Sequence, residues 1–139
     1  GVAWGALGHA TAAYEICVQY SQQRIQFGRP IAQSQAVQAR ITEILADLTA
    51  LQSMLFNFAA LDQKGELSPT AASLAKYNAT KVARKAVAIA RDMLGGNGIL
   101  LANRAGRHFA DVEALHTYEG TDTIQSLLVG REVTGYSAF

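Results

Sequence analysis

Val37, Ile41, Ile44, Leu48, Leu51, Leu55 and Phe58 follow one another in alternating steps of four and three. That spacing puts all seven side chains on one stripe of a helix, predicted from about Ser34 to Lys64 and stopped by Gly65. An Ala-rich segment from Val2 to Gln23 repeats the pattern with Ala6, Ala10, Ala13, Cys17 and Tyr20. Gly5 and Gly8 weaken this helix in isolation and are expected to let a neighbour approach closely. Ser68-Pro69 opens a third helix, Ser as N-cap and Pro in the first turn. It carries Leu74, Val82, Ala86, Ile89 and Met93 and stops at Gly95-Gly96-Asn97-Gly98. A short irregular or helical stretch follows from about Asn103 to Leu115. Thr121-Asp122 starts a last helix through Ile124, Leu127, Leu128 and Val133, which Gly135 ends. Both prolines fall at segment edges and no strand-like alternation persists. The pattern predicts an all-α fold, an antiparallel four-helix bundle with a short extra helical segment.

Composition changes this picture little. The 139 residues suit one domain, and half of them are hydrophobic. A domain of this size buries roughly two-thirds of its unfolded surface. Twelve basic residues stand against eleven acidic ones, without a basic stripe or a polybasic run, so neither nucleic acid nor a membrane surface is expected as a partner. No unbroken apolar run approaches the roughly 18 residues of a membrane span. The single cysteine, Cys17, cannot form an internal disulfide, fits a reducing compartment and lies among apolar neighbours as a buried, inert thiol. The first residues show neither the basic region nor the cleavage pattern of a leader peptide. They also lack a Met and a helix cap, so the chain is expected to be a piece of something longer.

Four stretches offer chemistry. In Arg24-Ile-Gln-Phe27-Gly-Arg-Pro30-Ile31, Phe-Gly followed by Pro makes a rigid turn. Arg24 can grip a phosphate bidentately and Phe27 can stack on a ring; a surface loop with a buried Phe anchor explains the same residues. Gly95-Gly96-Asn97-Gly98 lacks dinucleotide-fingerprint spacing and follows a helix rather than a strand, so a helix C-cap accounts for it, although paired glycines also admit a ligand to the backbone. His9, His108 and His116 show no metal-ligand spacing, and Asp111 and Glu113, two apart, diverge on a helix. The fourth stretch is His116-Thr-Tyr118-Glu119-Gly120-Thr121-Asp122. Glycine lets the backbone bend beside the acid, and Thr or Asp caps the helix that follows. An acid at such a corner is a candidate general base; an acid stabilised by the helix macrodipole is the alternative.

Three motifs together resemble the C-terminal helical domain of the acyl-CoA dehydrogenase family over almost the whole chain. They are Arg24-x-Gln-Phe-Gly-x-Pro with Gln35 behind it, Ala90-Arg-Asp-Met-Leu-Gly-Gly-Asn-Gly-Ile99, and Tyr118-Glu-Gly-Thr121. The glutaryl-CoA dehydrogenase branch is the nearest in Gly1-Val-Ala-Trp-Gly5, Arg91-Asp-Met-Leu94, Glu113-Ala-Leu-His-Thr-Tyr118 and Thr134-Gly-Tyr-Ser-Ala-Phe139. The resemblance implies an N-terminal helical domain and a middle β-domain before this bundle, a tetramer, and FAD held between β-domain and bundle. Arg24, Phe27 and Gln35 would then touch FAD across a subunit interface. Asp92, Met93, Leu94, Gly95 and Gly96 would line the dinucleotide, and Thr121 would approach it beside the base. Gly120 and Phe139 would touch the acyl-CoA. Many family members carry Gln where this chain has Asp92.

The activity implied is FAD-dependent oxidation of an acyl-CoA. Glu119 removes the α-proton while the β-hydrogen leaves as hydride to the flavin. In glutaryl-CoA dehydrogenases the product then loses CO₂ to give crotonyl-CoA. Closing the pocket removes water and raises the basicity of the carboxylate. An electron-transfer flavoprotein is the implied electron acceptor, and the implied location is the cytoplasm in a bacterium or the mitochondrial matrix in a eukaryote. Other short or branched acyl-CoA substrates fit the same motifs, as does a silent bundle serving oligomerisation. The 139 residues alone are expected to fold without showing turnover, because half the flavin site would lie elsewhere.

Overall fold

A computed structural model describes all 139 residues, Gly1 to Phe139. Five helices form the bundle: α1 (Val2–Gln23), α2 (Gln35–Gln63), α3 (Pro69–Met93), α4 (Ala105–Thr117) and α5 (Asp122–Thr134). The stretch read as short and irregular or helical is the full 13-residue α4. Between α1 and α2 lies a feature that the alternation rule missed, a two-stranded hairpin of β1 (Ile25–Gln26) and β2 (Arg29–Pro30). Two-residue strands are too short to show a period of two.

The helix ends follow local chemistry. The Ser68 hydroxyl accepts from the Ala71 N–H at 3.0 Å, with Pro69 as the first helical residue. At the end of α2, Glu66 N–H donates to Leu61 O and Gly65 N–H to Asp62 O, both at 2.9 Å, with Gly65 at φ +71°. That pairing is a Schellman motif. Thr121 caps α5 through the Ile124 N–H at 3.3 Å, and Gly135 ends it in the left-handed conformation.

α3 is the central helix and packs against all four others. The stripe of α2 enters the core as expected: Ile44, Leu48, Leu51 and Leu55 are buried. Of the residues expected along α3, Ala86 is buried and Val82, Ile89 and Met93 pack partly buried against the core. The core side of α3 is Ala75, Ala79, Thr80, Ala83, Ala86, Val87 and Ala90, whereas Leu74 is exposed. Small side chains let four helices crowd one axis, so the deepest positions of α3 are mostly alanine and its larger residues lie at their edge. Against α3, α1 presents Ala6, Ala10, Ala13 and Cys17, all buried. Burial pushes the Cys17 thiol up to about 11, which makes it inert at neutral pH.

The role assigned to Gly5 and Gly8 is also corrected. A Cβ at Gly5 would meet Leu115 at an ordinary 3.7 Å, and one at Gly8 would meet nothing. The close approaches are at Gly98, where a Cβ would lie 2.0 Å from the Arg91 carbonyl oxygen, and Gly106, 3.2 Å from the Gly98 carbonyl.

α2 is long and apolar enough to cross a membrane, with a mean hydropathy of 1.5 over an 18-residue window of which 22% is buried. The run-based reading missed this because isolated polar residues interrupt the apolar runs without lowering the window mean. Its buried stripe packs against α1 and α3 as a bundle helix does. The histidines hold one surprise. His9 on α1 and His108 on α4 face each other with Nδ1 atoms 2.8 Å apart, so one must donate to the other. Burial, and then the neighbouring His9, hold the pKa of His108 below the ordinary range.

Candidate active site

Glu119 sits in the two-helix corner between α4 and α5. Its φ is +56° and that of Gly120 is +86°, so two successive residues are left-handed. A non-glycine residue in that region costs about 1–2 kcal/mol and persists only where its surroundings hold it. The hold comes from two side chains. The Lys76 ammonium, on α3, donates to the carbonyls of Tyr118 and Gly120. The Gln125 amide, on α5, donates to the carbonyls of Glu119 at 3.0 Å and Gly120 at 3.4 Å. Three consecutive carbonyls are thereby anchored, and both anchors are buried, Lys76 at 6% and Gln125 at 8% exposure. A Cβ on Gly120 would stand 2.6 Å from the Gln125 nitrogen. His116 Nε2, 3.5 Å from Asp122 Oδ1, ties the two helix ends together.

Glu119, Lys76 and Gln125 line a cavity of about 620 Å³ whose walls include Val2, Trp4, Leu55 and Phe58. Trp4 packs edge-on against Phe56, ring centroids 5.5 Å apart. Apolar walls beside the Glu119 carboxylate, with Asp62 a second acid on the rim, suit an acyl chain with a weakly acidic C–H. Among the side chains lining this cavity, Lys76 is the one cation, and two of its three donors serve backbone carbonyls.

Seven of the other expected site residues gather at the far end of α3. Lys76 and Asp92 are sixteen positions apart, about 24 Å along a helix axis. One hollow of about 440 Å³ brings together Arg24, Asp92, Met93, Leu94, Gly95 and Gly96. A second of the same volume is lined by Phe27, Asp92 and Met93 with Arg40 and Val37. Asp92 and Met93 stand in both. Phe27-Gly28, at φ +52° and +78°, forms the tight two-residue turn of the β1–β2 hairpin. The Phe27 ring is fully exposed, which corrects the reading of it as a buried loop anchor. Neither Gly95 nor Gly96 has anything within 4 Å of an added Cβ, so this backbone is open to a ligand. Asn97 Nδ2 donates to the Tyr20 hydroxyl at 3.0 Å and fixes the glycine turn to α1.

Gln35, the first residue of α2, is exposed and lines neither hollow. Thr121 serves as the α5 cap beside Glu119, and Phe139 lies exposed in the tail. One copy of the chain therefore brings Arg24 together with residues 92–96, and sets Phe27 beside Asp92 and Met93. It does not bring either group to Glu119.

The far end fits a phosphate-bearing, aromatic ligand. Arg24 and Arg29 form no salt bridge, Phe27 offers a free ring, and the glycine backbone is bare. Asp92 would repel a phosphate, but Arg40 compensates it at 2.6 Å. Lys76, Gln125 and Arg40 were missed as site residues. For Lys76 a signal existed: it falls on the same helical side as Ala79 and Ala83, so a charge stood on the inner face of α3.

Fold and site together define a helical bundle with an acid in a strained corner at one end and an anion-ready hollow at the other. A sequence model of the family described as "Acyl-CoA dehydrogenase, C-terminal domain" matches residues 1–134. The chain belongs to the acyl-CoA dehydrogenase family. It is 37% identical to a 3-(aryl)acrylate reductase of Clostridium sporogenes over 93% of this chain and 34% of that protein. It is 35% identical to an acyl-CoA dehydrogenase of Bacillus subtilis over 97% of this chain and 36% of that protein. Its fold matches a glutaryl-CoA dehydrogenase of Mycobacterium smegmatis, solved in complex with FADH2, with a TM-score of 0.97 and 30% identity. That match covers 100% of this chain and 36% of the solved one. The chain thus spans about a third of the length of the curated relatives it matches.

Proposed function

We propose that the chain is the C-terminal domain of a longer FAD-dependent acyl-CoA dehydrogenase in which Glu119 is the base that removes the α-proton. The observation that carries this reading is the left-handed Glu119-Gly120 corner, held by buried donors at the mouth of an apolar cavity. Strain held by buried polar groups marks a site where geometry matters more than stability. The thioester carbonyl acidifies the α-carbon; excluding water strengthens the carboxylate as a base. A backbone N–H beside Glu119 can stabilise the developing enolate oxygen. FAD, when bound, supplies the acceptor for the β-hydrogen. Arg24 and the open Gly95-Gly96 backbone would hold its phosphates, and Phe27 and Met93 its ring surfaces.

Arg24, Phe27 and Gln35 lie a helix length from Glu119, so we propose that they serve the cofactor of a neighbouring copy in a homo-oligomer. Acyl-CoA is the substrate class and an electron-transfer flavoprotein the proposed acceptor. Glutaryl-CoA is the proposed substrate within that class, supported by the fold match and by the Trp4 and Phe139 motifs. Its distal carboxylate would need a cation from outside these 139 residues, since Lys76 is already engaged. The similarity to an acrylate reductase favours a second reading, the same chemistry run towards reduction of an α,β-double bond.

The test is Glu119→Gln in the longer protein, mixed anaerobically with glutaryl-CoA and, separately, butyryl-CoA. FAD and acyl-CoA binding should persist while flavin bleaching slows by about 10²–10⁴, the worth of a positioned base. Bleaching at the native rate would remove Glu119 from the role. Faster bleaching of the native protein by butyryl-CoA would overturn the glutaryl assignment.

A further inference from the structure

We propose that Lys76 is a positioning residue for Glu119: its ammonium, seated in the core, fixes the corner that aims the carboxylate. The proposal rests on Glu119 being the base. A buried lysine is costly unless its charge and donors are satisfied. Lys76 is 6% exposed and has no carboxylate within salt-bridge distance. Its donors go instead to the two carbonyls that flank Glu119 in sequence, those of Tyr118 and Gly120. A cation spent on backbone oxygens at the one strained turn of the cavity is a clamp on that turn.

The clamp reaches across elements. Lys76 projects from α3, whose core side is otherwise alanine, valine and threonine. That rigid helix therefore sets the position of a loop belonging to α4 and α5. Gln125 holds the same loop from the α5 side through the Glu119 and Gly120 carbonyls. Together they fix both peptide planes of the left-handed pair, and hence the direction of the Glu119 side chain. The charged groups around the Lys76 ammonium are Glu119 itself, Asp122 at the start of α5, and Asp62 at the end of α2 across the cavity. Burial lowers the pKa of Lys76 from its ordinary value, and Glu119 and Asp122 work in the opposite direction.

The experiment uses the longer flavoenzyme with Lys76→Met, Lys76→Gln and Glu119→Gln. Flavin reduction is followed per bound FAD at saturating acyl-CoA, with ordinary and α-deuterated substrate. A misplaced base slows proton removal, and a displacement of about 1 Å costs on the order of a hundredfold. Lys76→Met should therefore cut the per-flavin rate constant by about tenfold to a hundredfold. It should also raise the α-deuterium isotope effect and leave KM little changed. Lys76→Gln keeps an amide donor group without the charge and should fall between native and Met; it carries the same readout if the Met variant does not fold. A native per-flavin rate and isotope effect in the folded Lys76 variant, with only a lower Tm, would overturn the proposal. If Lys76 variants are native in rate while Glu119→Gln is dead, the positioning role alone fails. If Glu119→Gln is native, the base assignment fails and the positioning role with it.

Discussion

The chain makes the same backbone shape twice, Phe27-Gly28 at one end of the bundle and Glu119-Gly120 at the other. Both are left-handed pairs of a non-glycine residue followed by glycine. Around Gly28 nothing lies within 4 Å of an added Cβ, and Phe27 is fully exposed. Around Gly120 the Gln125 amide stands at 2.6 Å, and the carbonyls of residues 118–120 are held by buried donors. The hairpin pair is kept by its own turn and presents a ring outward. The corner pair is kept by the core and presents an acid to a cavity. Strain by itself therefore says little about a role; what holds the strain separates a display surface from a working site.

Substitutions can sharpen this contrast. The largest stability effect is expected at Gly98, behind the hairpin-end hollow. Ala there would drive a Cβ to 2.0 Å from the Arg91 carbonyl oxygen, which cannot move without bending α3. Gly98→Ala should cost about 3 kcal/mol, the upper range for overpacking, measured by urea unfolding. A loss within experimental error would mean the glycine turn is looser than the structure shows.

The glycines of the two pairs come next. Gly28→Ala meets open space and should lose only the left-handed penalty, about 1 kcal/mol. Gly120→Ala adds a clash to the same penalty and should lose about 2 kcal/mol. In the longer protein it should also slow flavin reduction. Equal losses at both sites, with no change in rate, would erase the distinction between them. The smallest stability effect is expected for Phe27→Ala, within about 0.5 kcal/mol, because an exposed surface side chain contributes little. Its effect should appear as weaker retention of FAD by the assembled parent, read from the flavin absorbance left after gel filtration.

Much of the fold was legible in the pattern of residues, and particular elements show why some was not. The α2 stripe works because Leu and Ile at steps of three and four have one place to go. On α3 the same logic went only part of the way: Val82, Ile89 and Met93 lie against the core, but the deepest positions are mostly alanine and Leu74 is exposed. Hydrophobicity marks burial poorly where close packing demands small residues. The hairpin was too short to show a period, yet the Phe-Gly-x-Pro turn inside it was readable. At the site, Glu119 and its cap could be read because both lie in one contiguous run. Lys76 and Gln125 could not be assigned to that run from spacing alone. Their bonds to it span 42–44 residues for Lys76, and for Gln125 depend on how α5 turns away from the corner.

The central claim is that the Glu119 corner beside Lys76 and the Arg24 hollow beside Asp92, about 24 Å apart along α3 in one copy, complete each other only between copies. Mixed assemblies of the parent protein test it. One subunit carries Glu119→Gln and its partner Arg24→Ala, each assembly alone showing little flavin reduction. If cofactor contacts come from the neighbour, the mixture contains one site with both native residues, and flavin reduction should reappear well above either parent. If Arg24 and Glu119 served the same copy's site, every site in the mixture would hold one lesion. Flavin reduction no higher than the average of the two parents would contradict the account.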